Sequence, residues 1–290
     1  MQTKPVLVVH GGAGAWEEDL KRLMAGKDAC KEAVEAGQVV LLDGGNALDA
    51  VEVAVRVMED SPALDAGRGS YLNARGEIEM DAMVMDGRTL DIGAVAAVKQ
   101  IRYPISLARE LLALINTNFL VGSGAEAFAD SIGFPRCDHN DLLADPSIWN
   151  SGSSGQTNDT VGAVALDAGG NLAAATSTGG TRGKLPGRVG DSPLVGAGAY
   201  ADNLSAAVSA TGRGEDLMKI LISKLVCDFV AAGLAAQDAC QSAIRLLDKR
   251  VSGQGGMIAI DAQGRIGFAY NTYAMPYAYV IGETSITVGQ

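Results

Sequence analysis

Asn158-Asp159-Thr160-Val161-Gly162-Ala163-Val164-Ala165-Leu166-Asp167 marks an abrupt change of character in the chain. Before it, Asp138 to Asp159 is polar, carries Asp145-Pro146 and runs through Ser151-Gly152-Ser153-Ser154-Gly155-Gln156. Such a stretch buries too little apolar surface to offset the entropy of ordering it, which predicts an exposed, mobile linker. After it, Thr160–Leu166 is rich in β-formers, Asp167-Ala168-Gly169-Gly170-Asn171 reads as a turn, and Leu172–Thr178 is a second run of small residues. Together they predict a hairpin. A linker therefore feeds directly into a buried strand that begins with a threonine. A lone Thr says only that it favours strands.

Working outward, Val6–Val9 predicts a short strand running into His10-Gly11-Gly12-Ala13-Gly14. Apolar spacing predicts helices over Glu17–Leu42, Ala47–Glu59, Ile105–Leu114 and Ala125–Ile132, with strands at Ile78–Met85 and Ala94–Val98. Downstream, seven glycines fall within the twenty positions from Gly179 to Gly198. A strand at Ala206–Ala210, helices over Glu215–Ala232 and Ala236–Lys249, a hairpin of Met257–Asp261 with Arg265–Tyr270, and a closing strand Tyr277–Ile281 follow. Strands this poor in charge read as buried on both faces, and the hairpins make them antiparallel. The fold class expected is α/β of the α+β type: a four-layer αββα sandwich of two mainly antiparallel sheets with helices outside.

The chain has 290 residues, 48% hydrophobic and 20% charged, which is a globular balance. Its net charge is −11, from 23 basic and 34 acidic side chains. Residues 1–159 hold 13 basic and 24 acidic side chains, and residues 160–290 hold 10 of each, so the acidity lies wholly in the first part. That balance argues against a nucleic-acid partner. Cys30, Cys137, Cys227 and Cys240 form no CxxC pair, and His10 and His139 are the only histidines, so a zinc site lacks support. The first apolar run is too short for a signal peptide and no 18-residue apolar stretch occurs, giving the expectation of a cytoplasmic protein with no membrane partner. No GxSxG or HExxH is present. Gly179–Lys184 fails as a P-loop because Thr178 stands where its first glycine belongs and Leu185 follows the lysine. His10 at a strand end reads as structural, and His139 as solvated surface.

Thr160 gains meaning from what surrounds it. The second strand of its hairpin ends Thr176-Ser177-Thr178-Gly179-Gly180, Leu185-Pro186-Gly187-Arg188-Val189-Gly190-Asp191-Ser192-Pro193-Leu194 follows, and Ala210-Thr211-Gly212-Arg213-Gly214-Glu215 comes later. With HGGAG at His10–Gly14, DAGRGS at Asp65–Ser70, MDG at Met85–Gly87 and GSGAE at Gly122–Glu126, this series closely resembles the plant-type L-asparaginase and isoaspartyl peptidase family. The resemblance covers nearly the whole chain. Members are N-terminal-nucleophile hydrolases that cut themselves before a threonine. The resemblance thus implies one Ntn-hydrolase domain over 1–290, cut into an α chain of 1–159 and a β chain of 160–290.

The chemistry accounts for the residue types. A hydroxyl is a weak nucleophile without activation. Once the Asp159–Thr160 bond is cut, Thr160 acquires a free α-amine of ordinary pKa about 7.7–8.0, and that amine can take its own hydroxyl's proton. By resemblance, Thr178 hydrogen-bonds and orients the nucleophile, while the Thr211 hydroxyl and Gly212 N–H form the oxyanion hole and contact substrate. Arg188 and Asp191 form a clamp for the α-carboxylate and α-ammonium of a free amino-acid head group. Asn158-Asp159 departs from the Gly that many relatives carry before the nucleophile, and Asp65 stands where many have Asn. Some members hold a structural sodium on backbone carbonyls of the loop corresponding to Met58–Arg68. Carbonyl ligation leaves no side-chain signature, so sodium stands here as an option, with no other cofactor required.

The expected activity is hydrolysis of β-aspartyl amides, namely isoaspartyl dipeptides and L-asparagine, by a dimer of αβ units. Two alternatives stand beside it. One is a glycosylasparaginase-like amidase, against which the Leu185–Leu194 loop speaks. The other is a non-catalytic amino-acid-binding protein, against which the Thr160, Thr178 and Thr211 set speaks.

Overall fold

A computed structural model describes residues 3–143 and 160–290. Most of the expected linker, and Asp159 with it, lies outside the described residues. The chain opens with β1 (Val6–His10), a single 3-10 turn at Trp16–Glu18, α1 (Leu20–Leu42) and α2 (Ala47–Asp60). Strands β2 (Met80–Asp86) and β3 (Ile92–Val98), helix α3 (Pro104–Leu111), β4 (Phe119–Val121), α4 (Gly122–Ser131) and α5 (His139–Leu142) complete the first part. The second part runs β5 (Val161–Leu166), β6 (Leu172–Thr178), β7 (Ala199–Ala201), β8 (Ala206–Gly212), α6 (Gly214–Ile220), α7 (Ile222–Ala231), α8 (Ala236–Val251), β9 (Gly255–Asp261), β10 (Ile266–Tyr270), β11 (Tyr277–Ile281) and β12 (Thr287–Gly289).

The strands form two sheets, ordered β12-β11-β1-β5-β6-β2-β3-β4 and β10-β9-β8-β7. All pairings are antiparallel except β3 with β4. Strand side chains alternate between faces, so each strand feeds two cores. Leu7, Val9, Val161, Ala163, Ala173 and Ala175 pack against residues of α1, α2 and α3. Their neighbours Val6, Val8, Val164, Leu166, Leu172 and Ala174 pack against Ala207, Ile258 and Ile260 of the smaller sheet. That sheet's other face, through Val208, Ala210, Met257 and Ala259, is covered by α7 and α8. The result is the four-layer αββα sandwich.

The same alternation decides where polar residues go. On β5 and β6 the even-numbered positions face the space between the sheets, which sends Thr160, Thr176 and Thr178 there. On β8 the odd-numbered positions do so, which sends Ser209 and Thr211 to meet them. Thr160, Thr178 and Thr211, distant in sequence, thus converge at one end of the interlayer. Gly162 leaves room for Ser209 and His10: a Cβ there would collide with Ser209 Oγ and His10 Nε2.

The helix expected over Glu215–Ala232 is broken. Leu221 adopts a left-handed conformation, φ +47°, so α6 ends and α7 restarts on a new axis. A continuous apolar pattern hides such a break, because one residue in αL costs about 1–2 kcal/mol and tertiary packing outweighs it. Strands β4, β7 and β12 escape sequence reading because three residues are too few to show a period.

Candidate active site

Thr160 is buried immediately before β5, at the edge of a narrow cleft that Thr178, Gly180, Thr181, Arg188, Gly190, Asp191, Ser192, Gly212 and Gly214 also line. Five of the six expected catalytic and binding residues therefore meet in one place: Thr160, Thr178, Arg188, Asp191 and Gly212. Thr211 lies beside them on β8, where its hydroxyl accepts a 3.2 Å hydrogen bond from the Ala13 N–H of the HGGAG loop. Accepting there orients the hydroxyl to donate its own proton in another direction. Gly212, at φ +144°, packs so tightly on Gln254 and Gly255 that a Cβ would collide with both.

The Thr160 hydroxyl has a neighbour that sequence reading missed. Thr160 Oγ1 lies 3.2 Å from Ser192 Oγ, whereas Thr178 Oγ1 accepts from the Gly180 N–H at 2.9 Å and so shapes the turn after β6. Behind that turn, the Gly179 N–H donates to the Asp65 backbone carbonyl at 2.9 Å, and Asp65 Oδ1 accepts from the Tyr71 N–H at 2.8 Å. Asp65 is thus a fully buried brace between the 61–75 loop and the threonine turn.

Arg188 and Asp191 sit on the glycine-rich loop over β2. Glu79 of the β2 approach anchors that loop, accepting from Gly187 N–H at 2.9 Å through Oε2 and from Lys184 Nζ at 2.7 Å through its backbone carbonyl. Arg188 Nε and Nη2 both reach Glu215 Oε1, at 3.0 and 2.8 Å. Partial burial pushes the Glu215 carboxyl up, but the Arg188 hydrogen bonds outweigh it and hold it below the usual range. Asp191 is buried, its Oδ2 has no hydrogen-bond partner among the described residues, and burial pushes its carboxyl up to about 7 against the opposing pull of Arg188. A buried carboxylate oxygen without a donor is costly, and a cationic ligand would satisfy it.

Two further buried groups border the cleft. Asp81, directly across from Thr178 on β2, accepts from the Ala97 N–H at 2.8 Å and so holds a bulge in β3; burial raises its pKa. His10 Nε2 shares a 2.8 Å hydrogen bond with Ser209 Oγ. Burial lowers the His10 pKa to about 3, although the adjoining Thr160 backbone pulls the other way. His10 is therefore a neutral packing element under β5, and His139 opens α5, a helix away from the cleft lining.

Backbone carbonyls of the Met58–Arg68 loop turn toward Gly69. A Cβ on Gly69, φ +105°, would collide with the Leu64 carbonyl oxygen and lie 3.1 and 3.2 Å from those of Pro62 and Ser61. Three backbone carbonyls converging on one point are the donor type that hard cations prefer. The Ser61, Pro62 and Leu64 carbonyls that face Gly69 are of the donor type a sodium ion takes.

Fold and site define an amidohydrolase built on the αββα sandwich. The asparaginase family profile matches residues 3–290, and the chain belongs to that family. It is 43% identical to the isoaspartyl peptidase/L-asparaginase of Danio rerio, over 94% of this chain and 91% of the relative. The isoaspartyl peptidase of Salmonella typhimurium is 41% identical across 98% of both chains. The Homo sapiens isoaspartyl peptidase/L-asparaginase is 41% identical across 94% and 92%.

Proposed function

We propose that the protein cuts itself between Asp159 and Thr160 and then hydrolyses β-aspartyl amide bonds in isoaspartyl dipeptides and L-asparagine. The observation that carries this reading is the placement of a buried threonine hydroxyl in one cleft with a guanidinium and a donor-poor carboxylate. In self-cleavage, Thr160 Oγ1 bonds to the Asp159 carbonyl carbon. The hydroxyl proton ends on the Thr160 nitrogen as the C–N bond breaks. Water then hydrolyses the resulting ester, releasing the Asp159 carboxylate and the hydroxyl.

In turnover, the free α-amine of Thr160 accepts the hydroxyl proton while Oγ1 attacks the substrate's β-carbonyl. The Thr211 hydroxyl and Gly212 N–H stabilise the oxyanion. Collapse expels ammonia or the following amino acid, which takes the proton, and water cleaves the acyl ester to aspartate. Arg188 holds the α-carboxylate and Asp191 the α-ammonium. When bound, sodium would fix the backbone of the loop that Ser61, Pro62 and Leu64 shape, and through Asp65 the turn carrying Thr178.

We further propose a cytoplasmic protein acting as a dimer of αβ units. No described helix is long and apolar enough to cross a membrane, and all four cysteines are unpaired thiols, which suits a reducing compartment. The dimer rests on family resemblance. The test of the substrate class is direct: ammonia and aspartate should appear from L-asparagine, and free amino acid from β-aspartyl dipeptides. N-acetyl-asparagine and asparagine amide should be very poor substrates, because the first leaves the buried Asp191 carboxyl without an α-ammonium and the second leaves the free edge of Arg188 without an α-carboxylate. Hydrolysis of either at the asparagine rate rules the clamp out.

A further inference from the structure

We propose that Ser192 is a catalytic residue, the hydroxyl that donates a hydrogen bond to Thr160 Oγ1 in self-cleavage and in turnover; this rests on Thr160 being the nucleophile. Ser192 Oγ lies 3.2 Å from Thr160 Oγ1. Ser192 is 1% exposed, and among the described residues its hydroxyl meets no other hydrogen-bonding partner. A buried hydroxyl directed at a single polar neighbour is an expensive way to fill space, since a methyl group would pack there without desolvation.

The backbone of Ser192 is held from both sheets. Thr176 Oγ1 of β6 donates to its carbonyl at 2.7 Å. Gly198 packs flat against it, where a Cβ would collide with the Ser192 carbonyl, and Gly198 is itself tied to β8 by a 2.8 Å bond from the Ala210 N–H. Pro193 restricts the chain on the following side. Ser192 is thus fixed relative to β6, which carries Thr178, and to β8, which carries Thr211 and Gly212. It also follows Asp191 directly, so the residue that receives the α-ammonium and the residue that touches the nucleophile move as one.

The chemistry gives the hydrogen bond its use. As Thr160 Oγ1 attacks, its proton departs to nitrogen and negative charge develops on the oxygen before the new C–O bond absorbs it. A fixed donor beside that oxygen stabilises the charge without reorganising. The same demand arises in both reactions, because both start from the same oxygen. Thr178 Oγ1 accepts from the Gly180 N–H, whereas Ser192 Oγ is the hydroxyl that lies within hydrogen-bond distance of Thr160 Oγ1 among the described residues.

The test uses the full chain and four variants: S192A, the near-isosteric S192C whose thiol is a weak donor, S192T and T160A. Self-cleavage is followed by intact mass, and kcat and KM on L-asparagine are expressed per cleaved chain. S192A and S192C should slow cleavage and lower kcat by about 10- to 100-fold, with KM within about two-fold and S192T restoring most of the rate. Wild-type cleavage and turnover in S192C, or a loss confined to KM, with T160A inert, overturns the role of Ser192 alone. A cleaved and active T160A overturns the threonine reading itself and Ser192 with it.

Discussion

Arg188 offers two donors, Nε and Nη2, to one oxygen of Glu215, at 3.0 and 2.8 Å, and lays Nη1 against Gly190. Glu215 thereby holds one edge of the guanidinium and fixes the direction of the other. The contact is half-exposed and adds little to stability. Its value lies in aim: a planar fork held by one edge is pre-organised to grip a second carboxylate with the other.

Arg188→Lys should therefore raise KM for L-asparagine by about 10- to 100-fold while leaving self-cleavage intact, since cleavage does not use the clamp. Gly190→Ala should act in the same direction, because the new Cβ would sit 2.9 Å from Nη1 and tilt the fork. Steady-state kinetics on fully cleaved protein measures both. Unchanged KM in Arg188→Lys removes the guanidinium from substrate binding.

Asp191 gives the clamp a pH dependence. Burial holds its carboxyl up near 7, so in the free protein it is increasingly protonated below that value. A neutral acid cannot pair an α-ammonium, and KM for L-asparagine should rise as pH falls through about 7, approaching ten-fold per unit. kcat/KM should consequently fall more steeply with acidity than kcat, which follows the Thr160 amine in the bound complex. Parallel profiles for kcat and kcat/KM between pH 5 and 8 contradict this assignment.

His10 should contribute nothing to that limb. Its pKa is lowered to about 3, so it is neutral throughout the working range. The double variant His10→Gln/His139→Gln, provided it folds, should cleave itself and keep the wild-type acidic limb. Loss of the limb in a folded, cleaved variant makes a histidine the base.

Glu59 links stability to pH. Its Oε1 accepts from Ser177 Oγ at 2.6 Å and from the Ile105 N–H at 3.0 Å, while Oε2 is buried with no partner among the described residues. Burial raises its pKa from 4.5 to about 8, against the pull of the Ser177 and Ile105 bonds. The folded state therefore retains a proton that the unfolded chain loses near pH 4.5. Stability from this group is fully present below that pH and is lost as pH rises through about 8. Denaturant melts of wild type and Glu59→Gln should show the wild type losing stability relative to the variant between pH 5 and 8, by a few kcal/mol. A constant difference over that range excludes a protonated Glu59.

Much of this site was legible because period-2 alternation is strict. Once β5, β6 and β8 are placed, parity alone sends Thr160, Thr178 and Thr211 into the interlayer. The four-layer architecture followed from strands too apolar to leave a face in water. Ser192 and Glu215 were not legible as partners of Thr160 and Arg188. They come from a glycine-rich loop and a helix start, where no period relates sequence position to direction. Asp81 was equally hidden: nothing in the Ile78–Met85 run marks its carboxyl as fully buried, where it caps the Ala97 N–H at a bulge. The break at Leu221 is set by packing of α7 on β8 rather than by local preference.

Self-cleavage before Thr160 is the claim on which the rest depends, and intact mass under denaturing conditions tests it most directly. The purified protein should separate into fragments 1–159 and 160–290, and Thr160→Ala should remain one chain of 29.8 kDa with no hydrolytic activity. A stable full-length wild-type chain that hydrolyses L-asparagine would contradict the account.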